Sequence, residues 1–365
     1  MTSAIPERVQ AQAEQPEAQP VVSRKLIFVA FTILCLLFAF GYTAWATMRA
    51  NRANIPAIPT NSIADPDELA MKLRDEPHLV FLSTSNGGNT GPVALLPLDG
   101  LDQTRTVSNL NCERVHFSKS VGICLKGDNF GAAYNAYLFS PGSEPWHAWE
   151  LNGFPSRARI SPDGKYAATT VFVTGHSYAD GGFSTQTMLY DIQNRTEIGD
   201  LEKFEIRRDG KVIQSTDFNL WGVTFARDSN RFYATLATGS KTYLIEGDVA
   251  SRKAHVLHEN VECPSISPDN TRIAYKKFEA NPDRGGWSLY VLDLATMKET
   301  PLSEARSIDD QVEWLDNEQI LYSRLDDLDP GPGYLAGFNI MVVPADGSGE
   351  PSILVPSAYS PAVSR

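Results

Sequence analysis

The feature that most constrains the fold of this 365-residue chain is a phrase of two short strands joined by a tight turn. The phrase occurs five times, beginning at Val115, Ala158, Val223, Ser265 and Val312, as VHFSKSVGICLK, ARISPDGKYAAT, VTFARDSNRFYAT, SISPDNTRIAYKK and VEWLDNEQILYSR. Each copy leads through a loop to a third apolar strand, and a fourth stretch closes most units. Repeats of four short strands are typical of a β-propeller. The sequence therefore predicts an all-β propeller.

The turn inside the phrase carries residues with defined backbone preferences. In SPDG at 161–164, proline fixes the φ angle of the second turn position and glycine accepts a left-handed conformation. In the fourth copy, PDN at 268–270 provides the same features with asparagine in place of glycine. Turns of this kind join adjacent antiparallel strands, so the phrase indicates a hairpin.

The blade count follows from the strands that lie outside the five complete units. Before Val115 the chain supplies three strands, LVFLS, VALLPLD and TRTVSN, which begin at Leu79, Val93 and Thr104. In the C-terminal sequence AYSPAVSR, the YSP at 359–361 matches the inner-strand ISP at 266–268. We therefore expect the C-terminal strand to complete the first blade and close a six-bladed ring over residues 79–365, which removes free sheet edges.

The N-terminal part of the chain differs in composition from the rest. Residues 1–25 are rich in Gln, Glu, Ala and Pro, which predicts a disordered cytoplasmic tail. Residues 26–48 carry no charge and as a helix would span roughly 34 Å, enough for a bilayer core of about 30 Å. This predicts a single-pass transmembrane helix with the N-terminus inside the cell. The alternative is a secretion signal that is cleaved near Ala46.

Residues 49–78 are expected to form an extended tether that contains one short helix, 66–75. Asp65 can cap this helix and Pro66 suits its first position, while Asp67 and Glu68 favour the positive end of the helix dipole. The helix should end before Pro77, because the residue that precedes a proline disfavours helical geometry.

The charge of the chain limits its partners, since the formal net charge is −12. An acidic domain argues against nucleic acid or an anionic membrane surface as a partner. The sequence contains no CxxC pair and no cluster of His and Cys with zinc spacing. It therefore predicts no cofactor and no bound metal.

Of the four cysteines, Cys112 and Cys124 are the pair close enough in sequence to suggest a disulfide. A two-residue turn at 119–120 puts Cys124 opposite Val115 rather than opposite Cys112. A bridge therefore requires an offset where the strand begins, and the bridged and free forms both stay open.

The repeats resemble the Pro-Asp propeller repeats of the TolB family. The resemblance is carried by SPDGKYAA at 161–168 and by SPDNTRIAY at 267–275, and it covers roughly residues 79–365. The proline is missing from the corresponding FSKS, FARD and WLDN turns. The resemblance implies a propeller in an extracytoplasmic, bacterial setting. TolB has an additional N-terminal α/β domain, which we do not expect in this chain, and its role in the envelope does not carry over.

Long loops join the second and third strands of most units, and strand alternation places them on one face of the ring, the long-loop face. Long loops are usually functional or disordered, and their concentration on one face favours a binding surface. The candidate residues for binding a ligand or partner are polar and aromatic side chains: His176, Tyr178, Asp180, Trp221, Arg284, Trp287, Asp326, Asp327, Asp329 and Tyr334.

Some of these candidates have a second interpretation that we favour over ligand binding. The acidic loop at 326–329 offers oxygen ligands for Ca²⁺, but its spacing differs from that of an EF-hand, so a solvated loop is the preferred interpretation. The residues at 176–180 fit a flexible polar loop. Four tryptophans are expected to pack between blades rather than form a sugar platform: Trp146, Trp149, Trp221 and Trp287.

Together these features predict a non-catalytic, membrane-tethered extracytoplasmic propeller that binds a protein or a component of the cell envelope. The sequence lacks the G-x-S-x-G motif, which argues against a serine peptidase. The alternative is a propeller enzyme, lactonase-like or lyase-like, with its site in the central channel. Such an enzyme needs convergent polar groups, and the predicted inner strands offer His116, Arg159 and Glu313.

Overall fold

The structure is a computed structural model that describes residues 24–52, 60–84, 90–101, 104–128, 133–173, 184–279, 286–325 and 337–365. The chain divides into two units, Met1–Ala57 and Ile58–Arg365. The described part of the first unit is helix α1, Arg24–Arg52, on which Phe28, Phe38 and Phe40 are exposed. Within the described residues, no helix has the length and apolar character needed to cross a membrane. The predicted span at 26–48 is not supported by this result and stays a prediction.

The second unit consists mainly of short strands. In chain order its elements are β1 (Thr60–Ile63), α2 (Pro66–Asp75), β2 (His78–Ser83), β3 (Gly91–Pro97), β4 (Arg105–Cys112), β5 (Arg114–Ser118), β6 (Val121–Gly127), β7 (Tyr134–Ser140), β8 (Ser143–Leu151), β9 (Phe154–Ile160), β10 (Tyr166–Val173), β11 (Ser184–Asp191), β12 (Thr196–Asp200), a 3₁₀ turn (Leu201–Lys203), β13 (Glu205–Arg208), β14 (Lys211–Ile213), β15 (Asn219–Phe225), β16 (Arg231–Thr238), β17 (Lys241–Asp248), β18 (Lys253–Glu259), β19 (Glu262–Ile266), β20 (Arg272–Glu279), β21 (Gly286–Asp293), β22 (Glu299–Pro301), β23 (Glu313–Trp314), β24 (Gln319–Leu325), β25 (Phe338–Pro344), β26 (Ser352–Val355) and β27 (Ala358–Ser364).

These strands form six sheets, which are the blades of a propeller. The inner strands of blades 1 to 6 are β27, β5, β9, β15, β19 and β23, and the next three strands of each blade follow outward in antiparallel order. Each inner strand contacts the inner strand of the next blade, and β23 contacts β27, so the contacts run around a closed ring. The predicted all-β six-bladed propeller is confirmed.

The C-terminal strand closes the ring as the sequence predicted. β27 pairs antiparallel with β2, with Leu79 opposite Val363 and Leu82 opposite Tyr359. All four of these side chains are buried. The first blade is therefore built from both ends of the second unit, and its inner edge is covered.

A hydrogen-bonded aspartate fixes the turn of the repeated phrase. Asp163 accepts hydrogen bonds from the hydroxyl of Ser161 and from the backbone N–H of Lys165, at 2.7 and 2.9 Å. In copies that lack the proline, Asp228 and Asp316 accept backbone N–H groups two and three residues further on. The aspartate can therefore hold the turn without help from the proline.

The turns also bind their neighbours on the face opposite the long loops, which we call the short-turn face. A backbone N–H of one turn donates to a side-chain oxygen of the next, from blade 3 through to blade 6. These bonds are Asp163 N to Ser229 Oγ, Arg227 N to Asn270 Oδ1 and Asp269 N to Asn317 Oδ1, at 3.0, 2.9 and 3.1 Å.

Cys112 and Cys124 form a disulfide, with their Cα atoms 5.5 Å apart. Cys124 is opposite Val115 in the hairpin, as the two-residue turn requires. The offset arises because Cys112 lies on β4, the outer strand of blade 1, whereas Cys124 lies on β6 of blade 2. The bridge therefore joins two blades rather than two strands of one hairpin.

Two parts of the chain that the sequence left irregular form strands. Within the predicted tether, β1 pairs in parallel with β4 and adds a strand to blade 1. After blade 3, β13 pairs in parallel with β18 and antiparallel with β14, which extends blade 4 to six strands. Helix α2 occupies the predicted 66–75, with the Asp65 side chain accepting from Asp67 N and with Leu69 and Leu73 buried.

Candidate functional site

Charged residues of opposite blades meet in the central channel. Arg157 Nη2 lies 2.9 Å from Asp310 Oδ1, and Arg159 Nη2 lies 3.0 Å from Glu313 Oε2. Both arginines are on β9 of blade 3 and, two residues apart, point to the same side of the strand. Glu313 begins β23 of blade 6, and Asp310 lies just before it. Because blades 3 and 6 are opposite in a ring of six, both ion pairs cross the channel.

Burial makes each of these charges depend on its partner. Burial lowers the pKa of Arg159, and Glu313 opposes this effect. Burial also raises the pKa of Glu313, against the attraction of Arg159. For Arg157, burial disfavours the charge, but Asp310 and its neighbours outweigh burial and raise the pKa. Removing one partner would leave an unpaired charge in a desolvated position, which is strongly destabilising.

A third group of charges lies beside blade 5. Lys276 Nζ contacts the carboxylate of Asp309 and lies 3.8 Å from Glu262 Oε2. Glu262 accepts a hydrogen bond of 3.1 Å from the indole N–H of Trp287, and Lys276 lies 4.4 Å from the ring centroid of the same tryptophan. Burial raises the pKa of the Glu262 carboxyl. Trp287, a predicted binding residue, thus holds a buried ion pair in place.

Arg114 joins three blades at the inner ring. Its Nε donates to the carbonyl oxygen of Ser156 at 2.5 Å, and its Nη2 donates to the Tyr359 hydroxyl at 2.9 Å. These partners belong to blades 3 and 1, whereas Arg114 begins β5 of blade 2. A cavity of only about 10 Å³ remains beside Arg114, Arg157 and Asp310. This part of the channel is filled by side chains.

His116, which the sequence offered for catalysis, is used for structure. Its Nδ1 accepts a hydrogen bond of 3.2 Å from the backbone N–H of Ile160 on the next blade. Burial, with a contribution from Arg159, holds the pKa of His116 well below its ordinary value, so the imidazole is neutral. His116 borders a cleft of about 230 Å³ that opens toward the short-turn face between Pro162 and Pro268.

Most of the predicted binding residues lie outside the described residues: His176, Tyr178, Asp180, Arg284, Asp326, Asp327, Asp329 and Tyr334. The two described candidates, Trp221 and Trp287, are on strands of blades 4 and 5, and Trp221 is buried. Among the described parts of the chain, no group of three or more His, Cys, Asp or Glu is placed to hold a metal ion.

Sequence reasoning found three of these channel residues and missed three. His116, Arg159 and Glu313 were expected there, but Arg114, Arg157 and Asp310 were not. Strand alternation provides a signal for Arg157, because residues two apart lie on the same face of a strand. Arg157 shares the face of Arg159 if the strand begins before the predicted start at Ala158. Asp310 lies outside any strand, so strand periodicity contains no signal for it.

Comparison with known proteins identifies the fold and no more. No protein-family profile matches the sequence, and no curated protein matches it. Solved TolB structures share the propeller fold. TolB from Acinetobacter baumannii superposes with a TM-score of 0.50 at 14% identity, over 79% of this chain and 66% of TolB, so the chain spans just under two thirds of that protein. A putative TolB from Agrobacterium tumefaciens gives 0.46 at 12% identity, over 76% of this chain and 88% of that one.

A structure of a nidogen/laminin complex is similar to the same degree. Its TM-score is 0.50 at 10% identity, over 79% of this chain and 98% of the matched chain. At such low identities, the two structures with a TM-score of 0.50 show a shared propeller fold and nothing further.

Proposed function

We propose that this protein is a non-catalytic, membrane-tethered propeller that binds a protein or a component of the cell envelope on its long-loop face. The proposal rests on two ion pairs that cross the channel, Arg157 with Asp310 and Arg159 with Glu313. The cavity of about 10 Å³ beside them has space for about one water molecule. On the short-turn side the channel opens only as the cleft of about 230 Å³ beside His116, so a protein-sized partner must bind on the outer surfaces of the ring.

The choice of face rests on how the turns use their polar groups. On the short-turn face, backbone N–H groups such as Asp163 N and Asp269 N are bonded to neighbouring turns. On the long-loop face, the loops between second and third strands are longer in every blade except blade 4, where the turn is Gly239-Ser240. Longer loops offer more adaptable groups for a partner.

Two observations support the proposed location. The Cys112–Cys124 disulfide is typical of an oxidising, extracytoplasmic compartment. The exposed apolar side chains of α1 suit a membrane tether, in keeping with the uncharged stretch at 26–48. The alternative location is a secreted form produced by cleavage near Ala46. Protease added to intact cells or spheroplasts should degrade the propeller of a membrane-bound chain, and full protection in spheroplasts would contradict the proposed topology.

Cross-linking followed by affinity capture with the full chain tests the binding proposal. Arg284→Ala and Tyr334→Ala, in the predicted long loops, should each weaken partner binding by about 1–3 kcal/mol if they are hot spots. Lys165→Ala and Lys298→Ala, beside turns of the short-turn face, are the matched controls and should have little effect. Loss of binding in the control variants but not in the loop variants would show that the assigned face is wrong.

One observation favours the alternative of a channel enzyme. Glu262 and Glu313 are channel carboxyls whose pKa burial raises, and raised carboxyl pKa values are common among general acids. Both are nevertheless held by cationic side chains, Lys276 and Arg159. A lactonase or lyase activity of the full chain that Glu262→Gln abolishes, with folding intact, would replace the binding proposal with the enzymatic one.

A further inference from the structure

An aromatic cleft lies at the outer rim of the ring, between blades 2 and 3. Its volume is about 220 Å³, and its walls come from the two outer strands of each blade, β7 with β8 and β11 with β12. The cleft is separate from the channel and from the long loops. Its main lining residues are three aromatic and three charged side chains: Trp146, Trp149, Tyr190, Asp191, Arg195 and Glu197.

A β-bulge directs both tryptophans into this cleft. Trp146 and Trp149 are three residues apart on β8, so in a regular strand they would point to opposite faces. The pairing with β7 shifts between them, because Trp149 is opposite Ala136 whereas Trp146 is opposite Leu138. The extra residue, Ala148, brings both indoles to the side that faces blade 3. Bulges that re-aim side chains are over-represented next to functional sites.

The two indoles have different surroundings. Trp149 is stacked on Tyr190 of blade 3, with ring centroids 3.7 Å apart and planes inclined by 14°. This is the inter-blade packing that the sequence predicted. The Trp149 Nε1 is nevertheless buried, and no described residue accepts a hydrogen bond from it. Trp146 is partly exposed in the wall of the cleft, with the guanidinium of Arg195 5.8 Å from its ring centroid.

We propose that this cleft binds a pyranose ring of a carbohydrate. A pyranose has a flat face of C–H groups that packs on an aromatic ring, and its hydroxyl groups both donate and accept hydrogen bonds. The cleft supplies the Trp146 ring as the apolar wall. The guanidinium of Arg195 and the carboxylate of Glu197, which line the cleft, supply the polar partners. The volume is below the roughly 300 Å³ of the smallest common ligand pockets, which suits a single ring.

Other ligand classes fit the cleft less well. A cationic ligand is disfavoured because the guanidinium of Arg195, 5.8 Å from the Trp146 ring centroid, would repel it. A purely apolar ligand would remove water from the charged side chains of Arg195 and Glu197 without replacing its hydrogen bonds, which is unfavourable. The site is distinct from the long-loop face, so this proposal and the proposed function can fail separately.

Saturation-transfer NMR with the full chain tests the proposal, with methyl glucoside, methyl N-acetylglucosaminide and galacturonic acid as probes. At least one probe should receive magnetisation on the C–H protons of one ring face. Trp146→Ala should weaken the affinity by at least about tenfold, because it removes the stacking wall. Trp146→Phe should retain most of the binding, because it keeps an aromatic face.

Phe278→Ala is the matched control, since Phe278 is an exposed aromatic residue on blade 5 and should leave sugar binding unchanged. If Trp146→Ala melts far below the wild type, Glu197→Gln takes its place, because Glu197 is exposed and its replacement should leave the fold intact. Glu197→Gln should weaken sugar binding several-fold. The proposal is wrong if no probe binds, or if the cleft variants bind as the wild type does. Binding of a proline- and tryptophan-containing peptide in place of every sugar would also contradict it.

Discussion

Arg159 and Glu313 form an ion pair across the channel. Burial disfavours the charged form of each side chain, and the opposite charge of the partner counteracts this effect. Glu313→Gln should therefore lower the free energy of unfolding by about 3–5 kcal/mol, because it leaves the buried guanidinium of Arg159 without its counter-ion. Urea denaturation of the full chain measures the loss.

The matched control is the double variant Arg159→Met with Glu313→Leu, which removes both charges and keeps apolar volume in the channel. Replacing a buried pair in this way is often neutral, so the double variant should be more stable than Glu313→Gln. A double variant that is no more stable than the single one would show that the unpaired charge is not the cause of the loss.

Asp269 makes one turn of the ring sensitive to acid. Burial alone would raise its pKa, but hydrogen bonds from Ser267 and Thr271 outweigh burial and lower the pKa to about 2. Since an aspartate in the unfolded chain titrates near about 3.9, the stabilisation is present above that pH and is lost as the pH falls toward about 2. Asp269→Asn should melt below the wild type at neutral pH, and the difference should shrink on acidification. A difference in melting temperature that does not change with pH would contradict this.

Channel residues could be predicted from the sequence when they lie on strands that the repeated phrase identifies. Arg159 and Glu313 were found in this way. Arg157 was missed because β9 begins at Phe154, earlier than the repeated phrase indicates. Asp310 was missed because its place depends on the path of the segment between blades 5 and 6, which no local pattern specifies. The neutral state of His116 follows from burial, which appears only once the blades are assembled.

At the scale of elements, hairpins were predictable and additions to sheet edges were not. Turn residues and alternating apolar positions specify a hairpin locally, which is why the five phrases and the helix at 66–75 were recognised. Strand β1 is short and mostly exposed, and its pairing requires the free edge of β4, far away in sequence. The hairpin β13–β14 depends in the same way on the outer edge of β18.

The disulfide joins two elements of different blades, β4 and β6, and both cysteines are buried. Replacing Cys112 and Cys124 with alanine should lower the free energy of unfolding by about 2–4 kcal/mol, because the cross-link restricts the unfolded chain. Cys35→Ser, which changes an exposed free cysteine of α1, is the control and should leave stability unchanged. Equal urea midpoints for the double-alanine variant and the wild type would show that the bridge does not stabilise the fold.

At the scale of the whole molecule, the closure of the ring concentrates its reinforcements at the seam between blades 1 and 2. The disulfide crosses this seam, and the hydrogen bond from Arg114 to Tyr359 joins the two inner strands there. Helix α2 contacts β4 of blade 1 and both β7 and β8 of blade 2. Its Leu73 carbonyl accepts a hydrogen bond of 3.2 Å from Ser364 on the closing strand. The seam between blades 1 and 2 is thus held at the rim and at the centre.

The closing strand itself gives the most direct test of the architecture. Deleting residues 358–365 removes β27, exposes the inner edge of β2 and uncovers the partners of Tyr359 and Val363. We expect the free energy of unfolding to fall by on the order of 5 kcal/mol, a large part of the stability of a typical domain. Deleting Arg365 alone is the control, because it removes the hydrogen bonds to the carbonyls of Trp314 and Leu315 but keeps the strand. Calorimetric melting of both truncated chains measures the difference. If the longer deletion melts like the shorter one, β27 does not close the ring.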